Sequence, residues 1–527
     1  MQKLALNFIG ENKEKKIVLA DYGTTIKDAA DENEILLATH CGGAGICGAC
    51  RVKILQGHVS NVTQTERQFL SEQELKDGIR LACKTKILGD LVIESSVTES
   101  NIKILDSTMP FETTANANSG LGVALDLGTT SVVLTVLDIK NGQNLGYTSF
   151  ANPQATFGSD VMSRIASVSS NPANLQKMQQ SLLDSLVVSI TELLRKNNRS
   201  EEEITKIVVS GNTVMQHILV GESPVSMGST PYISSFLYHQ PIKADKFSLP
   251  FEKAKTYFVP NISAFVGGDV TSGLTALNFD QTNKKEATLF IDLGTNNEMV
   301  LLAKGQILAT ATAAGPAFEG AGISCGVRAT SGAICSVSFE NGKFVTHTID
   351  NSDAIGLCGS GMIDCLALFL ENNIMEKNGS LNPDNPFVCK NENGVLQVVL
   401  TEEKGKKKVY ITQKDIRSLQ LVIASIKAGV KILLKEAKID KQEMNKIYLA
   451  GAFGNYIDIA NARVIGLLPA CEAEIISAKN TSLLGAIQAI LQNNFLPRAI
   501  TLSKIVKSLN LANEADFQEN FINSLDF

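Results

Sequence analysis

Short alternating stretches open the chain, and longer apolar runs appear only later. Residues 4–9 and 16–20 flank a charged turn and read as two short strands. Thr24 and Thr25 then offer hydroxyl caps for a helix that runs to about Glu34. A further strand is expected over residues 51–55. Residues 95–119 lose apolar periodicity. Ser, Thr and Asn dominate there and one Pro interrupts, so the stretch reads as a linker with a short extended piece at 102–105. Beyond it, buried-type strands run into Gly-rich polar turns, and Gly356-Leu-Cys358-Gly-Ser360-Gly361 opens an apolar helix.

The apolar runs stay too short and too charged to cross a membrane. Asp364 interrupts residues 362–370 and Lys427 interrupts residues 419–434. The N-terminal MQKLALNFIGENKEKK has no long apolar core or small-residue cleavage site, so no signal peptide is expected and a cytoplasmic location is. A chain of 527 residues predicts three or four domains. With 48 bases against 54 acids and no basic block, a nucleic-acid partner is not expected. Tryptophan is absent, which also disfavours base-stacking platforms.

The ten cysteines change the picture because they are uneven. Cys41, Cys47, Cys50 and Cys83 fall within the first 90 residues, and the other six lie beyond residue 320. The first three follow C-x5-C-x2-C, with glycines between, and the fourth is distant. Four thiolates are what a [2Fe–2S] cluster needs. The glycines let backbone N–H groups approach sulfide without a Cβ clash. A zinc site is the alternative, but zinc ribbons favour two CxxC pairs, and one is present. Residues 1–94 resemble [2Fe–2S] ferredoxins of the β-grasp type. Their four cysteines are then the metal ligands.

Two later segments look alike. Leu121-Gly-Val-Ala-Leu-Asp126-Leu-Gly128-Thr129-Thr130 and Thr288-Leu-Phe-Ile-Asp292-Leu-Gly294-Thr295-Asn296 each run a strand into a Gly turn and out along a second strand. A second echo joins Ile207-Val-Val-Ser-Gly211-Asn212 to Ile447-Tyr-Leu-Ala-Gly451-Ala-Phe-Gly454-Asn455. Paired echoes in one order imply duplicated lobes. Turns of this kind cradle phosphate oxygens with backbone N–H groups and hydroxyls. One carboxylate per lobe suits hydrated Mg²⁺, which takes few protein ligands.

This order resembles the actin, hexokinase and Hsp70 ATPase superfamily. The expected fold is therefore α/β multidomain: a ferredoxin at 1–94, a linker at 95–119, a first ATPase-like lobe at 120–283 and a second at 284–527. The resemblance assigns Gly128, Thr129, Thr130, Gly294, Thr295 and Asn296 to ATP phosphates. Gly451 and Gly454 go to the adenosine, and Asp126 and Asp292 are the catalytic carboxylates at Mg²⁺ or the attacking water.

A ferredoxin joined to this fold resembles the reductive activators of corrinoid proteins in methyltransferase systems, over essentially the whole chain. Further matching segments include Asn152-Pro-Gln through Arg164, Gly315-Pro-Ala-Phe-Glu319-Gly and Asp415-Ile-Arg417. Three positions depart from that pattern: Asn297 and Lys479 stand where Gly is usual, and Ile423 where a Lys is usual. The resemblance implies ATP-dependent reduction of inactive Co(II) to Co(I) by one electron from the cluster. It implies a corrinoid protein as partner, an upstream low-potential electron donor, and a homodimer as one arrangement. A plant-type ferredoxin lies near about −400 mV, and each further 100 mV against one electron costs about 2.3 kcal/mol. A nucleotide that binds two conformations unequally offsets a cost of that size.

Three alternatives resemble the fold: a redox-sensing ATPase that remodels a partner protein, a small-molecule kinase, and an ATP-coupled electron donor like the activators of radical dehydratases, against which the ferredoxin set Cys41, Cys47, Cys50 and Cys83 argues. No segment reads as a sugar or acid pocket, which weighs against the kinase. Among the other residues, Asp269 is expected to cap a helix, with Mg²⁺ ligation as the alternative, and Glu298 to lie exposed in a turn, with support of water activation beside Asp292 as the alternative. Asn297 is expected to take the positive φ of its turn, His217 to pack in a helix, and the six later cysteines to be free buried thiols.

Overall fold

Strand β1 (Lys3–Ile9) alternates buried and more exposed positions, with Leu4, Leu6 and Phe8 turned inward. It pairs antiparallel with β2 (Lys15–Asp21) and parallel with β5 (Ile87–Ser95). With β3 (Arg51–Val59) and β4 (Ile79–Leu81) the sheet order is β2-β1-β5-β3-β4. Helix α1 (Ile26–Glu32) buries Ile26, Ala29 and Ala30 in the same core. Thr25 caps it, accepting from the Asp28 N–H at 3.1 Å. The computed structural model describes residues 3–9, 15–33, 35, 37, 50–70, 72–95, 119–247, 249–282, 286–312, 315–402, 406–451 and 457–527. The chain divides into two units, 1–101 with 151–185, and 102–150 with 186–527.

In the first unit, helix α2 (Gln64–Phe69) precedes α3 (Glu72–Lys76) and carries a buried carboxylate, Glu66. Glu66 accepts from Arg80 Nε at 2.8 Å, Arg80 Nη2 at 3.1 Å, the Thr63 N–H at 2.8 Å and Thr85 Oγ1 at 3.0 Å. One side chain thus ties α2 to the turn that holds Cys83. The unit also carries α4 (Val161–Ser170), capped by Asp160, and the start of α5 (Ala173–Lys196). The fully buried Arg164 of α4 donates to the Gly158 carbonyl at 2.9 Å and to Gln154 Oε1 at 3.0 Å. The linker expected at 95–119 lies, apart from its two end residues, outside the described residues.

The second unit is built twice over. Strands β6 (Leu121–Leu127), β7 (Ser131–Asp138) and β8 (Asn144–Ala151) are followed by β9 (Ile204–Gly211), β10 (Ile242–Lys243) and β11 (Lys255–Phe258). Their sheet order is β10-β11-β9-β6-β7-β8. The second set begins with β12 (Ala287–Leu293), β13 (Asn297–Ala303) and β14 (Gln306–Thr312). Two small sheets follow, β15 (Ala333–Glu340) with β16 (Lys343–Thr348) and β17 (Gly356–Leu357), then β18 (Val388–Lys390) with β19 (Leu396–Thr401) and β20 (Val409–Thr412). Strands β21 (Met444–Ala450), β22 (Glu474–Lys479) and β23 (Lys507–Ser508) complete the order β22-β21-β12-β13-β14-β23. In both sheets the first hairpin strand lies beside the later parallel strand. Strands β6 and β12 share one burial pattern, in which Asp126 and Asp292 occupy the same less buried position.

Helices repeat as well. Helix α6 (Thr213–Val220) follows β9, and α7 (Gly268–Ala276) follows β11. Helices α8 (Gly359–Glu371), α9 (Gln413–Ala437) and α10 (Ile459–Val464) serve the second set, and α11 (Thr481–Leu491), α12 (Phe495–Ile505) and α13 (Phe517–Ile522) end it. Helix α11 follows β22 as α7 follows β11, but it packs against α7 and the β6–β9 sheet. The crossing is close: a Cβ on Gly485 would stand 2.2 Å from Ser272 Oγ, and one on Gly273 2.6 Å from Thr481 Oγ1.

Candidate functional site

Cys50 and Cys83 are brought together by the β3–β4 pairing. Arg51 faces Leu81 in that register, and the Ala82 N–H donates to the Cys50 carbonyl at 2.8 Å. Their sulfurs stand 3.2 Å apart. A disulfide needs about 2.05 Å. Two thiolates on one tetrahedral metal, with bonds of about 2.3 Å, stand roughly 3.7 Å apart. The pair therefore fits shared metal ligation. Cys41 and Cys47 lie outside the described residues.

In the second unit the two Asp-Leu-Gly-Thr turns face each other. Thr130 Oγ1 lies 2.7 Å from Thr295 Oγ1, and Thr295 donates to Glu319 Oε1 at 2.9 Å. The proton order follows: Thr295 spends its hydrogen on Glu319, so Thr130 donates to Thr295. Asn212 caps α6, accepting from the Met215 N–H at 2.9 Å, and its amide donates to Thr129 Oγ1 at 2.8 Å. Gly451, at the end of β21, holds φ of +104°. A Cβ there would stand 2.1 Å from the Leu293 carbonyl oxygen and 3.0 Å from Asp292 Oδ1. Only glycine lets that backbone close on the second turn. Gly454 lies outside the described residues.

The two aspartates meet the opposite lobe's helix start with different chemistry. Asp126 accepts from Ser482 Oγ at 2.6 Å and from Asn480 Nδ2 at 2.8 Å, both at the start of α11. Burial pushes its carboxyl up, and those two donors oppose the shift. Asp292 has no such donors among the described side chains. Burial raises its carboxyl, and repulsion from Asp269 at the start of α7, from Asp126 and from Glu319 raises it further. Asp269 is raised by burial and by Asp126, and Glu298 by burial, Asp269 and Asp292. Glu319 Oε2 is buried without a hydrogen-bond partner. Uncompensated buried carboxylates of this kind fit a dication. No group of three or more His, Cys, Asp or Glu among the described residues converges as a ready-made metal cage. Magnesium does not require one, since it keeps several waters and binds through one or two carboxylates.

Family models match the chain along nearly its full length. Residues 9–88 match the 2Fe-2S iron-sulfur cluster binding domain, 121–282 the RACo middle region, and 286–527 the C-terminal domain of RACo, the ASKHA domain. A solved reductive activator for a corrinoid, iron-sulfur protein superposes with a TM-score of 0.72 at 28% identity, over 99% of this chain and 98% of that one. The corrinoid activation enzyme RamQ of Eubacterium limosum is 34% identical over 76% of this chain and 69% of its own length. The chain belongs to the corrinoid activation enzymes. The [Co(II) methylated amine-specific corrinoid protein] reductase of Methanosarcina barkeri is 28% identical over 51% of each chain. No helix among the described residues is long and apolar enough to cross a membrane.

Against the pattern of these corrinoid activation enzymes, the three departures now have places. Asn297 does not take positive φ. It begins β13 opposite Leu293, fully buried, with neither amide atom partnered. Lys479 does take the left-handed conformation, at φ of +58°. Ile423 is packed in the apolar core around α9. Two further expectations are corrected. Glu298 is 5% exposed on β13, because the strand begins one residue after the Gly-Thr-Asn turn. Asp269 lies inside the first turn of α7, and Gly267 is the uncapped N-cap. His217 is buried on α6 as expected, its Nδ1 2.7 Å from the Thr213 carbonyl. Of the later cysteines, Cys389 is exposed and Cys335 half-buried, and the other four are buried. No sequence motif marks Asn480 and Ser482 as partners of Asp126. The signal that finds them is position: they start the helix after β22, as Asp269 does after β11.

Proposed function

We propose that this corrinoid activation enzyme couples ATP to the one-electron reduction of Co(II) to Co(I) in a partner corrinoid protein. The observation that carries the ATP half is the meeting of Thr130 and Thr295, 2.7 Å apart, beside buried carboxylates from both lobes. Cys41, Cys47, Cys50 and Cys83 hold the [2Fe–2S] cluster, which when bound supplies a one-electron store at low potential. Gly128, Thr129, Thr130, Gly294, Thr295 and Asn296 bind the ATP phosphates, with Gly451 and Gly454 at the adenosine. Asp292 and Asp269 hold hydrated Mg²⁺ or orient the attacking water. Asp126 is the first lobe's carboxylate at the metal or the water, oriented by hydrogen bonds from Asn480 and Ser482. The enzyme acts in the cytoplasm and draws its electrons from a separate low-potential donor.

An anaerobic absorbance assay tests this reading. Reduced enzyme is mixed with a Co(II)-loaded corrinoid protein, with and without MgATP. Co(I) is expected only with ATP, and C50S is expected to yield none. Phosphoryl transfer to a metabolite, or full activation of the partner by C50S, would move the assignment to a kinase or a remodelling ATPase of the same fold.

A further inference from the structure

Residues 315–328 leave β14 and fold back beside the carboxylate cluster. The fold-back is tight: a Cβ on Gly326 would stand 2.4 Å from the Gly320 carbonyl oxygen, and one on Gly320 2.5 Å from the Val327 N. The loop is pinned from outside. The Val327 N–H donates to the Leu357 carbonyl at 2.9 Å, and the Ser324 N–H to Asp415 Oδ1 at 2.8 Å. The backbone at 326–327 thus lies against Gly320, the neighbour of Glu319, and Arg328 comes next. Glu319 and Arg328 attract each other. Yet the Arg328 guanidinium donates no hydrogen bond among the described residues, and Glu319 Oε2 has no partner. Glu319 in turn accepts from Thr295, which touches Thr130.

A half-buried guanidinium with five unused donors, on a loop that Glu319 and Thr295 tie to the phosphate turns, is a site completed by a planar or tetrahedral anion. We infer that Arg328 is a catalytic residue that donates to the transferring γ-phosphoryl group of bound ATP, with Glu319 and Thr295 holding its loop in register with the phosphate turns. The inference rests on the nucleotide reading above. In the step it serves, the water oxygen bonds to the γ-phosphorus, and the bond to the β–γ bridging oxygen breaks with its electron pair leaving on ADP. The water proton passes to Asp292. Arg328 neutralises charge on the phosphoryl oxygens while charge grows on the leaving oxygen as that bond breaks.

The test is hydrolysis and binding measured on the holoenzyme for wild type, R328A and R328K. R328A is expected to hydrolyse MgATP at least about 100-fold more slowly while binding MgADP within about 3-fold of wild type. Free guanidinium should restore part of the R328A rate and none of the R328K rate. Wild-type hydrolysis by R328A would overturn the inference and leave the nucleotide reading standing. So would loss of MgADP binding in step with the rate, unrescued by guanidinium, because that is the signature of a structural residue. Failure of the wild-type enzyme to bind MgATP at all would overturn the nucleotide reading, and this inference with it.

Discussion

Thr130 Oγ1 and Thr295 Oγ1 are 2.7 Å apart although 165 residues separate them. Thr295 ends the second Asp-Leu-Gly-Thr motif and Thr130 directly follows the first, so this contact is where the duplicated turns meet. Thr295 serves both directions, accepting from Thr130 and donating to Glu319. T295V keeps the shape and removes both bonds. It is expected to weaken MgATP binding about 10-fold, or about 1.4 kcal/mol. T130V should cost less, since one bond is lost. A double-mutant cycle in MgATP affinity should return a coupling of about 1 kcal/mol. Additive effects would show that the two turns do not close on a common ligand.

The aspartates predict opposite responses to one substitution. In D126N the new amide meets Asn480 and Ser482, both of which donate to the native carboxylate. A donor facing donors leaves buried groups unpaired, so D126N should lower stability by about 1–3 kcal/mol. D292N removes a like charge from beside Asp269 and Glu319. It should raise the Tm by a few degrees at pH 8 while hydrolysis falls at least about 100-fold. Thermal melts and turnover of the two variants check both. A lower Tm for D292N would mean that the cluster is already compensated.

The half of the site that sequence reveals is the half made locally. Asp126 and Asp292 were legible because strand, glycine turn and strand lie within a dozen residues, and the motif recurs. The partners of Asp126 were not. Asn480 and Ser482 reach it through the α7–α11 crossing, a contact made more than 350 residues away. Glu298 misled for a different reason. An acid next to a Gly-Thr-Asn turn reads as exposed, but the strand starts at Asn297 and every residue to Ala303 is buried. The ferredoxin strands at 4–9 and 16–20 were read to within a residue at each end, since alternation and the charged turn both mark them.

Lys479 holds a conformation that side chains with a Cβ adopt at a cost of about 1–2 kcal/mol. Its carbonyl accepts from the Gly451 N–H at 3.2 Å, which ties β22 to the backbone beside Asp292. The backbone there is set by that bond and by the Asn480 cap of α11, so the strain is held and not relaxed. K479G should keep the bond and relieve the strain, less the entropy that glycine loses on folding. The expected net gain is about 0.5–1 kcal/mol in urea unfolding, with MgATP affinity unchanged. A loss of stability would show that the Lys479 side chain makes a compensating contact.

Glu66 gives the ferredoxin unit a pH signature. Burial alone would raise its carboxyl, but hydrogen bonds from Arg80 and Thr63 outweigh burial and hold it at about 2. An unfolded glutamate titrates near about 4.3. The native pKa is depressed, so the stability Glu66 contributes is present above about pH 4.3 and is lost as pH falls toward 2. E66Q removes the charge while leaving Arg80 buried. It should lower stability by about 3 kcal/mol at pH 7 and speed loss of the bound cluster, because Glu66 fixes the Leu81–Thr85 turn that contains Cys83. The difference between wild type and E66Q should then shrink from pH 4.5 downward. Urea unfolding of both proteins across that range measures it. A gap that stays constant down to pH 2.5 would mean that Glu66 acts through packing and not through its charge.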